Sequence, residues 1–517
     1  MNTDRIEEKM RFERLMKSIT KNGKLMTLGH LLEWAALRYD QHIALICEKQ
    51  EISYADLFRR SCMFADRLKS QGIKPHDRVL VWMENSIELY IAYFGVLQAG
   101  AIVALLNVYL TEHELKHIIH DAQATIIVTE KHFEERLKDL PDSVTVIFKE
   151  EAILLNEPVQ EQTCKVYDKD ADLLTVLLYT SGTTGLPKGV MLSSRNALTN
   201  AMQGIARQEF KQCKVLCVLP LFHTFAQNTC IWMTLLYGST VIVVPKIERR
   251  YLMHALEKKP DIFLGVPAIY GLLCLMKNAP ISQVELFISG GDALPDKIRS
   301  AFSLIYNRKI CNGYGLTECS PLISVDLDDE TEQAGCVGTP CVDIEVSLKD
   351  AQEHVVPRGK IGQLWVKGPN VMQGYYNAPE LTADVLHDGW FNTGDLAYIN
   401  KDGKIVISGR EKDLIKNKGF NIYPQEIENV LLGHPDVIRA AVIGKTDPDG
   451  EIPIAVVQAR SENPHLIQEL KERCRRQLAA YKIPKEFIVV RSDPPLTATG
   501  KINKKALKQT IYADKKD

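Results

Sequence analysis

One loop of the chain concentrates hydroxyl groups, glycines and a single lysine within eleven residues. Residues 179–189 read Tyr-Thr-Ser-Gly-Thr-Thr-Gly-Leu-Pro-Lys-Gly and follow the apolar run 175–178. Glycines let backbone N–H groups approach an anion closely, hydroxyls donate further hydrogen bonds, and a lysine adds positive charge. A flexible turn would explain the glycines, but not the density of donors beside Lys188. The loop therefore predicts a phosphate-binding site.

The loop is not a Walker phosphate loop. That pattern requires a lysine that is preceded by glycine and followed by serine or threonine. Here Pro187 precedes Lys188 and Gly189 follows it. The γ-phosphate cradle of a kinase or GTPase is therefore not encoded, and a different phosphate must react.

Six further short strings of the sequence follow the loop. They lie at residues 220–223, 289–292, 313–318, 393–395, 409–428 and 499–501. In order and spacing, the seven strings resemble the signature motifs of the adenylate-forming superfamily, which includes acyl-CoA synthetases, luciferases and peptide-synthetase adenylation domains. The resemblance extends from about residue 25 to residue 505, and residues 312–321 look most like those of bacterial long-chain fatty-acid–CoA ligases.

This resemblance implies a two-step reaction. A carboxylate, expected to be that of a fatty acid, attacks the α-phosphate of ATP, and pyrophosphate leaves. The thiol of CoA then displaces AMP from the acyl-adenylate to give a thioester. The implied cofactors are ATP and Mg²⁺, with CoA as co-substrate, and the implied catalytic residues are Lys501, Thr183 and Lys188.

The resemblance also assigns binding roles. The implied nucleotide site consists of Thr180, Ser181, Gly182, Thr183, Thr184, Gly185, Lys188, Gly291, Asp292, Gly313, Tyr314, Gly315, Thr317, Asp395 and Arg410. Tyr314 would stack on adenine and Asp395 would accept both ribose hydroxyls. The remaining roles are Glu318 as Mg²⁺ ligand, His223 and Gly290 in the acyl pocket, Lys418 and Gly419 at CoA, and Lys412 as the hinge of a rotating small domain.

Short strands and amphipathic helices in alternation must position these residues. Apolar runs at 176–178, 241–244, 262–264 and 286–288 are bounded by turns, which is typical of an α/β fold. Ligands of open α/β sheets bind beyond the carboxyl ends of strands, so the following loops should carry the chemistry. We expect a large, multi-lobed N-terminal domain at 1–409 and a small, mobile α+β domain at 410–517.

The composition predicts a globular enzyme. The chain has 517 residues, 45% of them hydrophobic, and its formal net charge of −2 gives no reason to expect nucleic acid as a partner. Because no apolar stretch reaches about 20 residues, we expect a cytoplasmic protein. Peripheral contact with the inner face of the membrane and assembly into a homodimer are both compatible with this expectation. The twelve cysteines form no CxxC pair and are expected to be reduced thiols.

Three alternatives stay open. His113 and His117 satisfy the HExxH pattern of zinc metallopeptidases, a remote alternative because so short a pattern arises by chance. An acyl carrier protein in place of CoA, or an aromatic acid of the coumarate type in place of a fatty acid, would each keep the adenylation step. Residues 224–227 lack the tryptophan that gates some long-chain ligases, so the chain length of the acid is open.

Overall fold

The computed structural model describes residues 3–153, 155, 165–181, 186–208, 212–276, 278–327, 333–417, 420–447, 450–496 and 502–513. Within these residues, three sheets of seven, nine and five strands, together with a small two-stranded sheet, build the large N-terminal part, and a further sheet of five strands builds the C-terminal part. The α/β class predicted from the sequence is confirmed, and so is the arrangement of a large and a small domain.

The strands are numbered in chain order. They are β1 (Thr20–Lys21), β2 (Lys24–Leu25), β3 (Ile43–Cys47), β4 (Gln50–Ser53), β5 (Arg78–Trp82), β6 (Ile102–Leu105), β7 (Ile126–Thr129), β8 (Thr145–Phe148), β9 (Leu174–Ser181), β10 (Pro187–Ser193), β11 (Lys214–Cys217), β12 (Thr240–Val243), β13 (Ile262–Gly265), β14 (Leu286–Ser289), β15 (Cys311–Gly315), β16 (Leu322–Asp326), β17 (Thr339–Pro340), β18 (Glu345–Lys349), β19 (Gly362–Lys367), β20 (Gly374–Tyr375), β21 (Leu386–His387), β22 (Trp390–Ile399), β23 (Ile405–Arg410), β24 (Ile415–Asn417), β25 (Phe420–Ile422), β26 (Val437–Asp447), β27 (Gly450–Ala459) and β28 (Glu486–Val490).

The helices are numbered in the same way. They are α1 (Thr3–Ser18), α2 (Leu28–Tyr39), α3 (Tyr54–Ser70), α4 (Ile87–Gln98), α5 (Glu112–Ala122), α6 (Lys149–Ala152), α7 (Ser194–Arg207), α8 (Thr224–Gln227), α9 (Met233–Tyr237), α10 (Arg249–Glu257), α11 (Pro267–Met276), α12 (Asp296–Tyr306), α13 (Pro379–Ala383), α14 (Pro424–Leu432), α15 (Leu466–Gln477) and α16 (Lys504–Ala513). A π-helical turn, Asn228–Trp232, joins α8 to α9, and short 3₁₀ helices lie at Lys131–Leu137, Thr317–Cys319, Glu411–Asp413 and Ala480–Lys482.

Two sheets with parallel centres form the core of the N-terminal part. The seven-stranded sheet has the order β20-β10-β9-β6-β5-β7-β8, and the nine-stranded sheet has the order β17-β16-β15-β14-β13-β11-β12-β3-β4. Their central strands are short and buried on both faces, because helices cover both sides of a parallel sheet. Hydrophobic residues of both sheets join one continuous core.

The predicted loops lie at the carboxyl edge of the nine-stranded sheet. Strand β14 ends at Ser289, and the amide of the next residue, Gly290, donates to the carbonyl of Gly265 at the end of the parallel neighbour β13 (3.1 Å). Strand β15 then carries Gly313 to Gly315 alongside. Two separated sequence strings, 289–292 and 313–318, thus meet at one edge beside the end of β13.

The third sheet ends at the start of the small domain. It has the order β18-β19-β22-β21, with β23 paired to β22, and Arg410 is the last residue of β23. The boundary predicted at 409/410 therefore falls within the final residues of a strand of the N-terminal part. A 3₁₀ turn at Glu411–Asp413 leads into the C-terminal part.

The C-terminal part has its own hydrophobic clusters. Along β27, Ala455 and Val457 join one cluster, whereas Ile454 and Val456 join a second one. This alternation is the period of a strand whose two faces are both covered. The part contacts the larger body through Lys297, whose ammonium donates to the carbonyls of His434 (2.9 Å), Pro435 (3.3 Å) and Val437 (3.4 Å).

The N-terminal helix packs against the body of the protein. Glu8 and Phe12 of α1 are buried, and Arg11 donates to the carbonyl of Ala206 on α7 (3.0 Å). No helix of the described residues is long and apolar enough to cross a membrane. Ten of the described cysteines are free, but Cys62 is disulfide-bonded, so the expectation that all cysteines are reduced is wrong for this residue.

Candidate active site

A buried carboxylate joins three strands at the centre of the site. Asp395 on β22 accepts a hydrogen bond from the phenol of Tyr314 on β15 (2.6 Å) and an ion-pair contact from Nε of Arg410 on β23 (2.8 Å). Asp395 and Arg410 are direct partners in the β22–β23 ladder, so the register of the sheet holds them together. Only 6% of the Asp395 side chain is exposed, compared with 44% of Arg410. The pair therefore offers a fixed acceptor at a solvent-facing edge.

The electrostatics of this cluster keep Tyr314 and Arg410 protonated. Burial raises the pKa of Tyr314, and the adjacent Asp395 carboxylate raises it further, so the phenol keeps its proton. Burial lowers the pKa of Arg410, but the nearby acidic groups, Asp395 foremost, together outweigh that effect, so the pKa is raised. Tyr314 and Arg410 thus remain donors at any physiological pH.

A second cluster surrounds the predicted phosphate lysine. The ammonium of Lys188 on β10 lies 3.8 Å from Oε1 of Glu318 and 3.7 Å from the ring centroid of Tyr375. The hydroxyl of Tyr375 donates to the same Glu318 oxygen (2.9 Å). The lysine is therefore held between a carboxylate and the face of an aromatic ring, both of which attract a cation.

The charge on Lys188 is easier to lose than that of an exposed lysine. Burial lowers its pKa below the ordinary value, Glu318 opposes this effect, and the nearby Lys412 and Arg410 lower the pKa further. Lys412 and Arg410 are thus close enough to repel Lys188, which puts both clusters and the predicted hinge in one cleft. An added anion would relieve this repulsion.

The residues of this cleft fit a divalent cation. Glu318 offers a hard carboxylate oxygen, and its side chain is 12% exposed. Among the described residues, no group of three or more histidine, cysteine or acidic side chains could hold a metal by itself. Mg²⁺ characteristically binds through one or two carboxylates together with substrate phosphates and water, so Glu318 beside a phosphate loop suits it.

Two glycines allow the backbone to pass close to the site. A Cβ at Gly315 would lie 2.1 Å from the carbonyl oxygen of Pro321, so no other residue fits there. Gly291 has φ +78°, a conformation that L side chains rarely adopt. Both positions belong to strings singled out in the sequence, and both have a steric reason to be glycine.

An apolar pocket of about 970 Å³, counting the solvent at its mouth, opens from this edge. Gly290, Gly291 and Tyr314 line it at the carboxyl edge of the sheet, and Ile262, the first residue of β13, lines it at the opposite edge. The pocket therefore runs alongside the sheet from the carboxyl ends of the strands toward their amino ends. Its side walls come from α7, the π-helical turn and β16.

The pocket has a narrow point and an internally paired charge. A Cβ at Gly204 on α7 would lie 3.2 Å from both Leu322 Cδ2 and Met233 Sδ, so these three residues form a waist. The one charged lining residue among the described positions, Arg207, is directed to Glu8 (3.4 Å) and to backbone carbonyls of residues 339 and 340. The interior of the pocket consequently suits an apolar chain.

The structure brings together most predicted nucleotide residues that it describes. Thr180 and Lys188 are cross-strand partners on β9 and β10, Gly313 to Gly315 lie on β15, and Thr317 and Glu318 lie on the adjoining 3₁₀ helix. Asp292 follows Gly291 and is exposed. The side chain of Ser181 and all of Gly182, Thr183, Thr184, Gly185, Lys418, Gly419 and Lys501 lie outside the described residues.

The two residues predicted for the acyl pocket differ. Gly290 lines the pocket, whereas His223, which precedes α8 and packs against Phe222 (ring centroids 4.4 Å), is not among the described lining residues. Phe225 and Thr229, two and six positions later, do line it. The acyl role of His223 stays a prediction.

The sequence reasoning missed Tyr375. It contacts both Lys188 and Glu318, yet it is separated from Glu318 by 57 positions. The one signal was the glycine–aromatic string 374–376 after an apolar strand. Within the HExxH string, Glu114 accepts from the backbone N–H and hydroxyl of Thr111 (2.8 Å each) in a helix capping box, so this glutamate has a structural role at the start of α5.

Known proteins share this architecture along nearly the whole chain. The family described as AMP-binding enzyme matches residues 32–376, and its C-terminal domain matches residues 426–501. A long-chain-fatty-acid–CoA ligase of Bacillus subtilis is 32% identical over 93% of this chain and 94% of that protein. A feruloyl-CoA synthase of an Amycolatopsis species is 34% identical over 88% of this chain and 92% of that protein.

A solved structure gives the same result in three dimensions. The o-succinylbenzoate–coenzyme A synthetase of Bacillus subtilis, in complex with ATP and a magnesium ion, superposes with a TM-score of 0.85 and 28% sequence identity. The superposition covers 93% of this chain and 99% of that one. Together with the phosphate hairpin and the Asp395 cluster, these matches show that the chain belongs to the AMP-binding enzyme family, the adenylate-forming enzymes, and is one of their acid–thiol ligases.

Proposed function

We propose that this enzyme activates a long-chain fatty acid with ATP and transfers the acyl group to CoA. The observation that carries the proposal is the apolar pocket, whose lining includes Tyr314 and Gly291 of the nucleotide cleft. An acid whose carboxylate reached the cleft would have its tail in this pocket. The fatty-acid substrate of the 32% identical ligase supports the same assignment.

The dimensions of the pocket support a long chain. Its lining follows β16 from Pro321 to Leu327, which spans ~20 Å at about 3.3 Å per residue. An extended hydrocarbon with C–C bonds of about 1.5 Å advances ~1.3 Å per carbon, so roughly 16 carbons fit this length.

The first step is adenylation. A carboxylate oxygen of the acid attacks the α-phosphorus of ATP, and the bond from that phosphorus to pyrophosphate breaks. Lys188 draws in the phosphates, Asp395 accepts the ribose hydroxyls, and Tyr314 presents its ring to adenine. Glu318 would hold Mg²⁺, which would neutralise phosphate charge.

The second step is thioester formation. The sulfur of CoA attacks the carbonyl carbon of the acyl-adenylate, its proton is released, and AMP leaves. In this proposal Lys501 acts in the first step only, because the small domain then rotates about Lys412 and brings Lys418 and Gly419 to CoA. The proposed boundary between the two domains is 409/410. Lys412 lies in the 3₁₀ turn directly after β23, at the junction where such a rotation requires a flexible residue.

The test is a product analysis over a series of acids. Purified protein is incubated with ATP, Mg²⁺ and saturated fatty acids of increasing length, with and without CoA, and the nucleotide and acyl products are separated by chromatography. We expect AMP, pyrophosphate and CoA-dependent acyl-CoA, with kcat/KM highest near roughly 16 carbons. Formation of ADP, or turnover of short acids only, would refute the proposal.

An aromatic acid is the second candidate, because a feruloyl-CoA synthase is 34% identical over most of the chain. Three aromatic residues, Phe225, Tyr237 and Tyr314, line the pocket. However, a flat ring would occupy only part of the ~20 Å length of the pocket, which weakens this candidate. A kcat/KM for ferulate above that for palmitate would establish it in place of the fatty acid.

A further inference from the structure

Helix α5 presents two side chains to the phosphate hairpin, β9 and β10. His113 and His120 of this helix are exposed, but His117 is half-buried, and its Nε2 lies 3.1 Å from the carbonyl oxygen of Pro187. A carbonyl oxygen only accepts, so Nε2 must carry the hydrogen and donate it. That carbonyl belongs to the peptide bond that leads into Lys188. His117 therefore holds the backbone directly at the phosphate lysine.

Asp121 holds the opposite strand one helical turn later. Its carboxylate accepts a hydrogen bond from the phenol of Tyr179 on β9 (2.6 Å). Burial raises the pKa of Tyr179, and the Asp121 carboxylate raises it further, so the phenol remains a donor. Positions i and i+4 lie on one helix face, so His117 and Asp121 contact β10 and β9 side by side.

The same turn of α5 also reaches the segment that carries Tyr375. The side-chain amide of Asn377 donates to the backbone carbonyl of Asp121 (2.9 Å), and the amide of Tyr376 donates to the carbonyl of Gly189 (2.7 Å). Tyr375 itself contacts both Lys188 and Glu318. One helical turn thus supports both partners of the cation contact, Lys188 and the Tyr375 ring.

The hairpin needs this support because its sheet neighbours do not reach the phosphate end. Strand β6 pairs with β9 only at Val176, and β20 pairs with β10 only at Val190 and Met191. The end that carries residues 179–181 and 187–188 therefore extends past these two ladders as a two-stranded ribbon, with one further contact at Gly189, whose carbonyl accepts from the amide of Tyr376. Such a ribbon is only marginally stable without further packing.

We propose that His117 and Asp121 are positioning residues, which fix the hairpin so that Lys188 meets the phosphates of ATP. The inference rests on the adenylation step proposed above, but not on the identity of the acid. A phosphate contact depends on placement to a fraction of an ångström, so loosening the hairpin should weaken ATP binding. AMP lacks the two outer phosphates, and its ribose and adenine would still be bound at Asp395 and Tyr314.

The test measures nucleotide affinity by calorimetry on the full-length protein, without any acid. His117→Ala and Asp121→Ala should weaken ATP binding roughly five- to tenfold, the effect of one lost hydrogen bond, and leave AMP binding within about twofold. His117→Gln and Asp121→Asn keep a donor and an acceptor, respectively, and should restore most of the affinity. The matched control is His113→Ala on the exposed face of the same helix, which should bind both nucleotides like the parent protein.

The proposal is overturned if His117→Ala binds ATP as tightly as the parent protein does. It is equally overturned if ATP and AMP affinities fall together, or if the glutamine and asparagine variants bind no better than the alanine variants, since a general loss of folding would give those results. Should an alanine variant fail to fold, Tyr179→Phe serves instead. It removes only the hydroxyl that donates a hydrogen bond to Asp121, and it should weaken the binding of ATP but not of AMP. Because no acid is present, a wrong assignment of the fatty acid leaves this result unaffected.

Discussion

The nucleotide cleft and the acyl pocket lie side by side, but they are built in opposite ways. In the cleft, charged groups are paired with one another and with polar groups: Asp395 contacts Tyr314 and Arg410, and Lys188 contacts Glu318. The pocket has apolar walls, and Arg207, its one charged lining residue among those described, is paired with Glu8. The cleft fixes orientation through hydrogen bonds, whereas the pocket selects by shape and length.

This difference assigns separate tasks to the two regions. A change in the cleft removes interactions with ATP, which is the same for every acid, so all acids should lose activity by a similar factor. A change in the pocket alters the fit of the tail and should reorder the acids while ATP binding stays the same. The predictions below test this separation, in order of decreasing expected effect.

Lys501→Ala should give the largest loss. A positive charge about 4 Å from the reacting anions stabilises them by ~4 kcal/mol at an effective dielectric near 20, or roughly a thousandfold in rate if the gain is confined to the transition state. Pyrophosphate release from each acid in the series measures this loss. Thioester formation from supplied acyl-adenylate and CoA is the control and should be unaffected. A loss that differed strongly between acids would break the separation of the two regions.

Asp395→Ala should raise the KM for ATP by roughly ten- to 150-fold. The substitution leaves Arg410 without its partner and removes the ribose acceptor, and a hydrogen bond to a charged group contributes about 1.5–3 kcal/mol, or roughly ten- to 150-fold in affinity. The exposed Asp402, on the turn between β22 and β23, offers a matched control in Asp402→Ala. Steady-state kinetics with a long and a medium acid should show the same factor for both. An effect confined to one acid would assign Asp395 to the acyl site instead.

The cleft could be predicted from sequence to a much greater extent than the pocket. Its strings follow the ends of short apolar strands, and steric necessity explains residues such as Gly315, whose Cβ would overlap a carbonyl. The role of Tyr375 could not be predicted, because its contact with Glu318 depends on the long-range pairing of β20 with β10. The positions of Gly204 and Met233 in the pocket could not be predicted either. Hydrophobic periodicity shows that a helix has a buried face, but it does not show which cavity that face lines.

Gly204→Val tests whether the pocket sets the chain-length preference independently of ATP binding. The added side chain would fill the waist between Leu322 and Met233, so long acids should lose about tenfold in kcat/KM relative to short ones. The KM for ATP should stay within about twofold. Gly271→Val is the matched control, because Gly271 is also helical but lies outside the pocket lining, with a Cβ position 3.6 Å from Ile298. Equal losses for all acids would show that the waist does not contact the tail.

The smallest expected effect is a pH dependence, which tests whether the charge of Lys188 contributes to ATP binding. Its pKa is lowered from 10.5, mainly by burial, so its charge is lost at a lower pH than that of an exposed lysine. Only the charged form attracts phosphate, and kcat/KM for ATP should therefore fall a fewfold as pH rises through this lowered pKa.

Bound phosphate favours the charged form of Lys188 and raises its pKa again, so kcat at saturating ATP should show the alkaline fall later or not at all. Lys188→Arg keeps a positive charge at every accessible pH, because the guanidinium group titrates above pH ~12. The variant should be less active overall, since the planar group fits poorly between Glu318 and the Tyr375 ring. Its kcat/KM should nevertheless stay constant across the alkaline range. If the fall persisted unchanged in Lys188→Arg, another group would have to carry the titration, and the lysine would act through its position in the hairpin alone.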